Sequence, residues 1–212
     1  MRRLLVAIGL LAGAGACSSQ SPPIAPPQTV EMDAHTLEKF QHEVEEYVEL
    51  RKDALKDIAR LSPQSTPADV DRYQTALTNA IIHYRHGAKR GEIFKPEVEM
   101  AFRRTLNRAF GSAEGPALLQ AIRQGNPKVE GNPLPKDPSK EVLKNVTVAV
   151  NVRYPETAPY SMVPPSLLLK LPLLPPQVRY RFVGRTLIIR DTEADVILDY
   201  IPDCVPDPSI PR

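Results

Sequence analysis

The sequence predicts an α+β protein in which an antiparallel bundle of three to four helices is followed by a small antiparallel β-sheet with a short helix. Apolar residues recur every three or four positions through residues 33–124, which is the helical period. A segment rich in proline and glycine covers residues 125–144, and in residues 145–203 apolar residues alternate as they do in strands. We therefore expect a helical region, then a linker or long loop, then a small β-rich module.

Two long amphipathic segments begin the predicted helical region. The first, TLEKFQHEVEEYVELRKDALKDIARL, has one apolar face and one charged face. The apolar residues are Phe40, Val44, Tyr47, Val48, Leu55 and Ile58, and the charged residues include Glu43, Glu45, Glu46, Glu49, Lys52 and Asp53. The second helix is expected to begin at Thr66, Pro67 and Asp69, which match an acidic form of the capping box. It is expected to end near residues 89–91, where two cations precede a glycine.

Two further helices complete the predicted bundle. The third is expected to begin at Pro96, and the fourth to cover residues 116–124. Their inward residues are predicted to be Val98, Phe102, Leu106 and Phe110 in the third, and Leu118, Leu119 and Ile122 in the fourth. Because the connections are short, neighbouring helices should be antiparallel.

The predicted β-rich module contains four strands and one short helix. VTVAVNVRY places four valines, Val146 to Val152, on one face of a strand, and SLLLKL is expected to form about two turns of helix. QVRYRFVGRTLIIRDTEADVILDYI should form three antiparallel strands with a turn at Gly184. The carboxylates Asp191, Glu193 and Asp195 are expected in the last hairpin turn, where such residues are common.

Residues 1–16 have the composition of an export signal. Arg2 and Arg3 precede an apolar run that is too short to cross about 30 Å of hydrocarbon, and small residues follow it. The run Ala14-Gly15-Ala16-Cys17 resembles the lipobox of bacterial lipoproteins, which implies cleavage before Cys17 and lipidation of its thiol. Ordinary cleavage at or near Ala16 is the alternative, and it would release a soluble exported protein.

Residues 17–32 are predicted to be a tether between the lipidated Cys17 and the folded part. SSQSPPIAPPQ favours extended polyproline structure, which would hold the fold roughly 30 Å from a bilayer. Ser18 resembles the sorting position of lipoproteins that go to the outer membrane, so we expect a location there or on the periplasmic side of the envelope. Residues 204–212 are expected to be a proline-rich tail, in which Cys204 is a free thiol or an intermolecular link.

Two internal stretches carry a second resemblance. LPPQVRYRFVGRTLIIRDTEADVILDYI looks like the terminal module of small exported bacterial proteins, and some periplasmic proteins linked to nickel and cobalt homeostasis end in a similar way. Together with AKRGEIFKPEVEMAFRR, it makes the mature chain similar to an uncharacterised family of exported bacterial proteins. That resemblance implies an exported protein and assigns no activity.

Histidines at the end of the predicted second helix are candidate metal ligands. His83 and His86 are three residues apart on one helix face, and His35 and His42 would join them if the first helix packs alongside. The alternative is that histidines at a helix C-terminus interact with the helix dipole and with solvent.

Five cations are predicted to form an anion-binding patch between the second and third helices. They are Arg85, Lys89, Arg90, Arg103 and Arg104. Such a patch would suit anionic lipid headgroups, lipopolysaccharide phosphates or peptidoglycan carboxylates. The alternative is an ordinary solvated helix surface.

Composition and motifs favour a binding role over catalysis. A formal net charge of +2 creates no general field for nucleic acid, and the sequence contains no glycine-rich phosphate loop or nucleophile elbow. No cofactor is indicated. We therefore expect a non-enzymatic envelope lipoprotein, a binding or scaffold module that is anchored in the bilayer and contacts envelope proteins or anionic polymers. The alternative is an exported metal-binding protein or enzyme.

Overall fold

The predicted α+β architecture is confirmed in a computed structural model that describes residues 32–124, 147–155 and 161–206. Its helices are α1 Ala34–Lys56, α2 Pro67–Tyr84, α3 Pro96–Gly111, α4 Gly115–Gln124 and the short α5 Pro165–Leu168. Its strands are β1 Ser161–Met162, β2 Val178–Val183, β3 Thr186–Asp191 and β4 Ile197–Ile201. The predicted linker and the N-terminal segments up to residue 31 lie outside the described residues.

Side-chain caps fix the beginnings of the first two helices. Asp33 accepts a hydrogen bond from the Thr36 N–H at 2.9 Å, so its carboxylate satisfies one of the free N–H groups of α1. The predicted capping box of α2 is confirmed, because Thr66 and Asp69 each accept the other's backbone N–H. The end of α2 differs from the prediction: the helix stops at Tyr84, and the glycine expected to close it, Gly91, lies in the following loop with φ of 88°.

The four strands form one antiparallel sheet in the order β1-β2-β3-β4. Gly184, with φ of 58°, makes the tight turn between β2 and β3. The three strands predicted from QVRYRFVGRTLIIRDTEADVILDYI are confirmed, and β1 adds a two-residue edge strand that was not predicted.

The predicted valine strand is wrong. Residues 147–155 make a single bridge, between Arg153 and Val196, and turn at Asn151, which has φ of 62°. A left-handed residue interrupts a strand, and Asn tolerates that conformation well. The segment instead buries Tyr154, which packs with Val183 and Ile188 on the outer face of the sheet.

A continuous apolar core joins the helices to the inner face of the sheet. The ring of Phe102 on α3 lies 5.3 Å from Phe40 on α1, 5.1 Å from Phe94 and 5.8 Å from Tyr180 on β2, measured between ring centroids. The predicted inward residues of α3 are all buried. The bundle and the sheet therefore share one interior, and α1 is packed directly against both α3 and the core of the sheet.

Candidate binding face on helix α1

A buried polar cluster fixes α1 against the end of β3. Asp191 is fully buried, and one of its oxygens accepts hydrogen bonds from the Tyr47 hydroxyl and from Arg51 Nε, both at 2.7 Å. Its other oxygen accepts the N–H groups of Glu193 and Ala194. Burial and the neighbouring Asp191 carboxylate hold the pKa of Tyr47 well above 10, so its phenol remains the donor. The orientation of α1 is therefore fixed by a carboxylate from the sheet.

A second buried carboxylate shapes the loop after α2. Asp199 on β4 accepts backbone N–H groups from Gly91, Ile93 and Phe94 at 2.8–3.1 Å, and that of Tyr200 at 2.8 Å. Burial raises the pKa of Asp199, while these four donors act in the opposite direction. The carboxylate thus holds the loop close to the sheet, and the loop in turn borders α1.

Arg85 forms the floor of the surface between α1 and the loop after α2. Its guanidinium carbon lies 5.5 Å from the centre of the Tyr47 ring, and its nitrogens bind the Leu198 carbonyl at 2.9 Å and the Asn151 side chain at 3.2 Å. The same guanidinium pairs with Glu92 at 2.9 Å. Arg85 is therefore a buried structural cation beneath the surface of α1.

Two open grooves run along the exposed side of α1 above this floor. The inner groove, of about 280 Å³, lies between α1 and the loop after α2. The outer groove, of about 670 Å³, continues from it through Glu46, Leu50 and Tyr84. Together they are lined by six carboxylates, which we call the acidic face: Glu43, Glu45, Glu46, Glu49, Asp53 and Glu92.

The acidic face is accessible, and two of its ion pairs are weak, whereas Glu43 and Glu92 pair with Lys95 and with the buried Arg85. All of its carboxylates except Glu43 are exposed, and Glu45 makes no ion pair with the described residues. Glu49 and Asp53 pair with Lys52 and Lys56 at 2.6 Å, three residues away on the same helix. Exposed pairs of this kind contribute about 0–1 kcal/mol, so an incoming cation can replace the lysines at small cost.

The predicted basic patch is not assembled as one exposed surface. Arg85 is buried, as described above. Arg90 and Arg103 both pair with Glu99, at 2.8 and 2.7 Å, and also bind backbone carbonyls at the end of β4. These contacts attach α3 to the last strand, with one carboxylate shared by the two guanidinium groups. Lys89, Arg90 and Arg104 are exposed, whereas Arg103 is half-buried and Arg85 is buried.

The predicted histidine pair does not meet a third ligand among the described residues. His83 and His86 are exposed, and His86 Nδ1 lies 3.2 Å from the His83 carbonyl oxygen. A different set comes together on α1, where ligand atoms of His42, Glu43 and Glu46 lie within 4.8 Å of one another. Lys95 already pairs with Glu43, so a divalent cation would compete with its ammonium for that carboxylate.

Of the two cysteines, Cys204 lies among the described residues. Cys17 lies outside the described residues. Cys204 is a buried free thiol that packs beside Val205, its N–H donates to the Arg185 carbonyl at 3.0 Å, and burial raises the pKa of its thiol to about 12. A thiol that is enclosed and protonated in this way is poorly suited to an intermolecular disulfide, which was one of the two expectations for Cys204.

None of the described helices combines the length and the apolar character that crossing a bilayer requires. Comparisons with protein-family models, with curated proteins and with solved structures found no significant match to this chain. The function of the chain is therefore inferred from the geometry of the acidic face and from the predicted leader.

The sequence alone did not indicate the acidic face, for a physical reason. The charged side of α1 was visible in the sequence, but exposed helices commonly carry such charges. What makes it a site is the pair of walls supplied by Tyr84 and Glu92, which come from α2 and from the loop after it. The density of carboxylates between residues 43 and 53 was the available signal.

Proposed function

We propose that the chain is an exported lipoprotein whose folded part is a non-enzymatic binding module for a cationic ligand. The observation that carries this proposal is the acidic face, six carboxylates lining two connected grooves beside one helix. The predicted signal and the lipobox-like Cys17 support attachment to a membrane, with the predicted tether between Cys17 and the folded part. In this proposal the ligand is a basic segment of an envelope protein or another polycation of the envelope.

Two features favour binding over catalysis. Five of the six carboxylates are spread along about three turns of the exposed side of α1, so they suit several positive charges in a row better than one reacting atom. Tyr47 and Asp199, whose pKa values are raised, are committed to structural hydrogen bonds inside the protein. The pKa of Tyr84 is also raised, and its hydroxyl donates to Asp57. A cationic ligand would instead exchange with Lys52 and Lys56 at the surface.

The expected result for ligand binding is capture of a fluorescein-labelled octalysine peptide, measured by fluorescence anisotropy at low salt. The Glu45→Gln, Glu49→Gln double variant should weaken binding about tenfold, because two charge contacts of up to about 1 kcal/mol each are lost. Binding should also weaken steeply as salt is added.

The matched control is the Asp71→Asn, Glu114→Gln double variant, which removes the same charge from exposed positions on α2 and before α4. It should bind octalysine as the unmodified protein does. Since the whole chain carries a formal charge of +2, polycation binding requires a local acidic surface. Equal weakening in both double variants, or no binding at low salt, would contradict the proposal.

The anchoring half of the proposal is tested by the intact mass of the protein extracted in detergent from a bacterial host. We expect a mass that matches cleavage before Cys17 plus acyl chains, and we expect Cys17→Ala to lose that mass. An unmodified chain cleaved elsewhere would show a soluble exported protein and would remove the lipid anchor, while the octalysine result would stand independently.

A further inference from the structure

Four large apolar side chains are exposed within a stretch of twelve residues, 162–173, on the segment that enters the sheet. Met162, Leu168 and Leu169 are 46, 45 and 46% exposed, and Leu173 is 71% exposed. We call these four residues the leucine loop. They follow one another through β1, α5 and the turn after it, and they account for most of the exposed large apolar side chains in the described parts of the chain.

The exposure of the leucine loop is imposed by a firmly held backbone. Leu167 and Leu171 are buried in the core and fix the segment on either side of Leu168 and Leu169. Successive turns are closed by hydrogen bonds from the Leu168 N–H to the Pro164 carbonyl at 2.9 Å and from the Leu171 N–H to the Leu168 carbonyl at 3.1 Å. Tyr180 donates to the Pro172 carbonyl at 3.2 Å. The outward leucines are therefore presented by a fixed turn.

All charged residues that neighbour the leucine loop in the sequence are positive. Residues 161–190 contain no aspartate or glutamate and five cations. Arg185 and Arg190 pair with Asp203 and Asp195, whereas Arg179 is exposed on β2 and Lys170 is half-buried between the leucines. Exposed leucines flanked by cations are the combination that partitions to an anionic bilayer surface.

Carboxylates of α1 border the leucine loop at Leu173. Leu173 and Pro175 share a small groove of about 210 Å³ with α1, and that groove also includes Glu45 and Glu49. These two glutamates belong to the acidic face, and an anionic surface would repel them. A bilayer contact must therefore be made by the outward side chains of the leucine loop and must leave α1 in water.

We propose that the leucine loop inserts into the headgroup region of an anionic bilayer and acts as a second membrane contact of the folded module. The inference builds on the proposed lipoprotein, because an acyl anchor on Cys17 would keep the loop near a bilayer. With the loop on the lipid and Glu45 and Glu49 beyond its edge, the acidic face would remain open to solvent for its ligand.

The test uses the absence of tryptophan from the sequence. Leu173→Trp and, as the matched control, Leu61→Trp are each introduced into the full chain carrying Cys17→Ala, so that no acyl anchor contributes. Leu61 is also exposed, at 40%, but lies between α1 and α2. With vesicles of phosphatidylcholine and about 30% phosphatidylglycerol, we expect the Trp emission at position 173 to shift to the blue and to be quenched by brominated lipid. The emission at position 61 should not change.

Charge dependence gives a second readout from the same variants. Adding Lys170→Gln and Arg179→Gln to Leu173→Trp should weaken the partition into anionic vesicles about fivefold and leave the weak partition into pure phosphatidylcholine unchanged. A response confined to position 173 and sensitive to these two cations would assign the contact to the leucine loop.

Three outcomes would overturn the inference. The emission at position 173 could be the same with and without vesicles, or both tryptophans could respond equally, as a general attachment through the leader would produce. A blue shift that needs no vesicles and grows with protein concentration would show that a second copy covers the loop.

The intact mass distinguishes this inference from the proposed lipid anchor. An intact mass without acyl chains, together with a response at position 173, would remove the anchor and keep the leucine loop as a membrane contact.

Discussion

Replacing Asp191 with alanine is expected to lower the free energy of unfolding by about 3–5 kcal/mol, which is the typical cost of removing one partner from a buried ion pair. Asp191 is fully buried and accepts from Tyr47, Arg51 and two backbone N–H groups. Without it, the Arg51 guanidinium keeps only Glu193, and the Tyr47 hydroxyl loses its acceptor. Urea denaturation followed by circular dichroism measures the loss.

The control for Asp191 is an ion pair of similar length at the surface. Glu97 accepts from Lys39 at 2.6 Å, but both side chains are more than a third exposed. Glu97→Ala should change the free energy of unfolding by less than about 1 kcal/mol, since solvent screens such pairs. A similar small loss for Asp191→Ala would show that water reaches the cluster and that it does not lock α1 to the sheet.

Replacing Gly115 with alanine is expected to lower the free energy of unfolding by about 1–3 kcal/mol, the range for overpacking in a well-packed interior. A Cβ at Gly115 would lie 2.0 Å from the Phe110 carbonyl oxygen and 2.7 Å from its carbonyl carbon. Because both are backbone atoms, the turn between α3 and α4 has to open, and Phe110 itself is buried. The same denaturation experiment measures the effect.

Gly87 offers a matched glycine for this comparison. A Cβ there meets no atom within 4 Å, and its φ is not in the left-handed region. Gly87→Ala should therefore leave stability unchanged or raise it slightly, by restricting the unfolded chain. If the two alanine variants unfold at the same urea concentration, the close approach of α4 to Phe110 is not a feature of the folded protein in solution.

Local signals explain which parts of the fold the sequence could predict. The capping residues Thr66 and Asp69 act within one turn, and the stripe on α3 follows one helical period, so both were predictable from neighbours in the chain. The valine strand failed because alternation describes a possible face, whereas Asn151 adopts a left-handed conformation that ends the strand.

The candidate site was less predictable because its parts come from distant segments. Asp191 occupies a turn-like sequence in which an exposed carboxylate is the usual outcome, and nothing near it indicates that Arg51 and Tyr47 will cover it. Arg85 was predicted to be a surface cation, yet Leu198, Asn151 and Glu92 surround it. Cations and carboxylates of one helix change their role when another element packs over them.

The large sequence separation of the Tyr47–Asp191 contact affects how the chain folds. The two residues are 144 positions apart in the sequence, and the aromatic core likewise needs Tyr180 from the sheet to complete the packing of Phe102. Contacts of such high sequence separation form late, after most of the chain is available. While the N-terminal helices are being synthesised, their apolar faces therefore lack the partner that makes them stable. In the exported protein that we propose, this delay would keep the chain unfolded while it is threaded through a membrane, and the last strand would complete the fold on the far side.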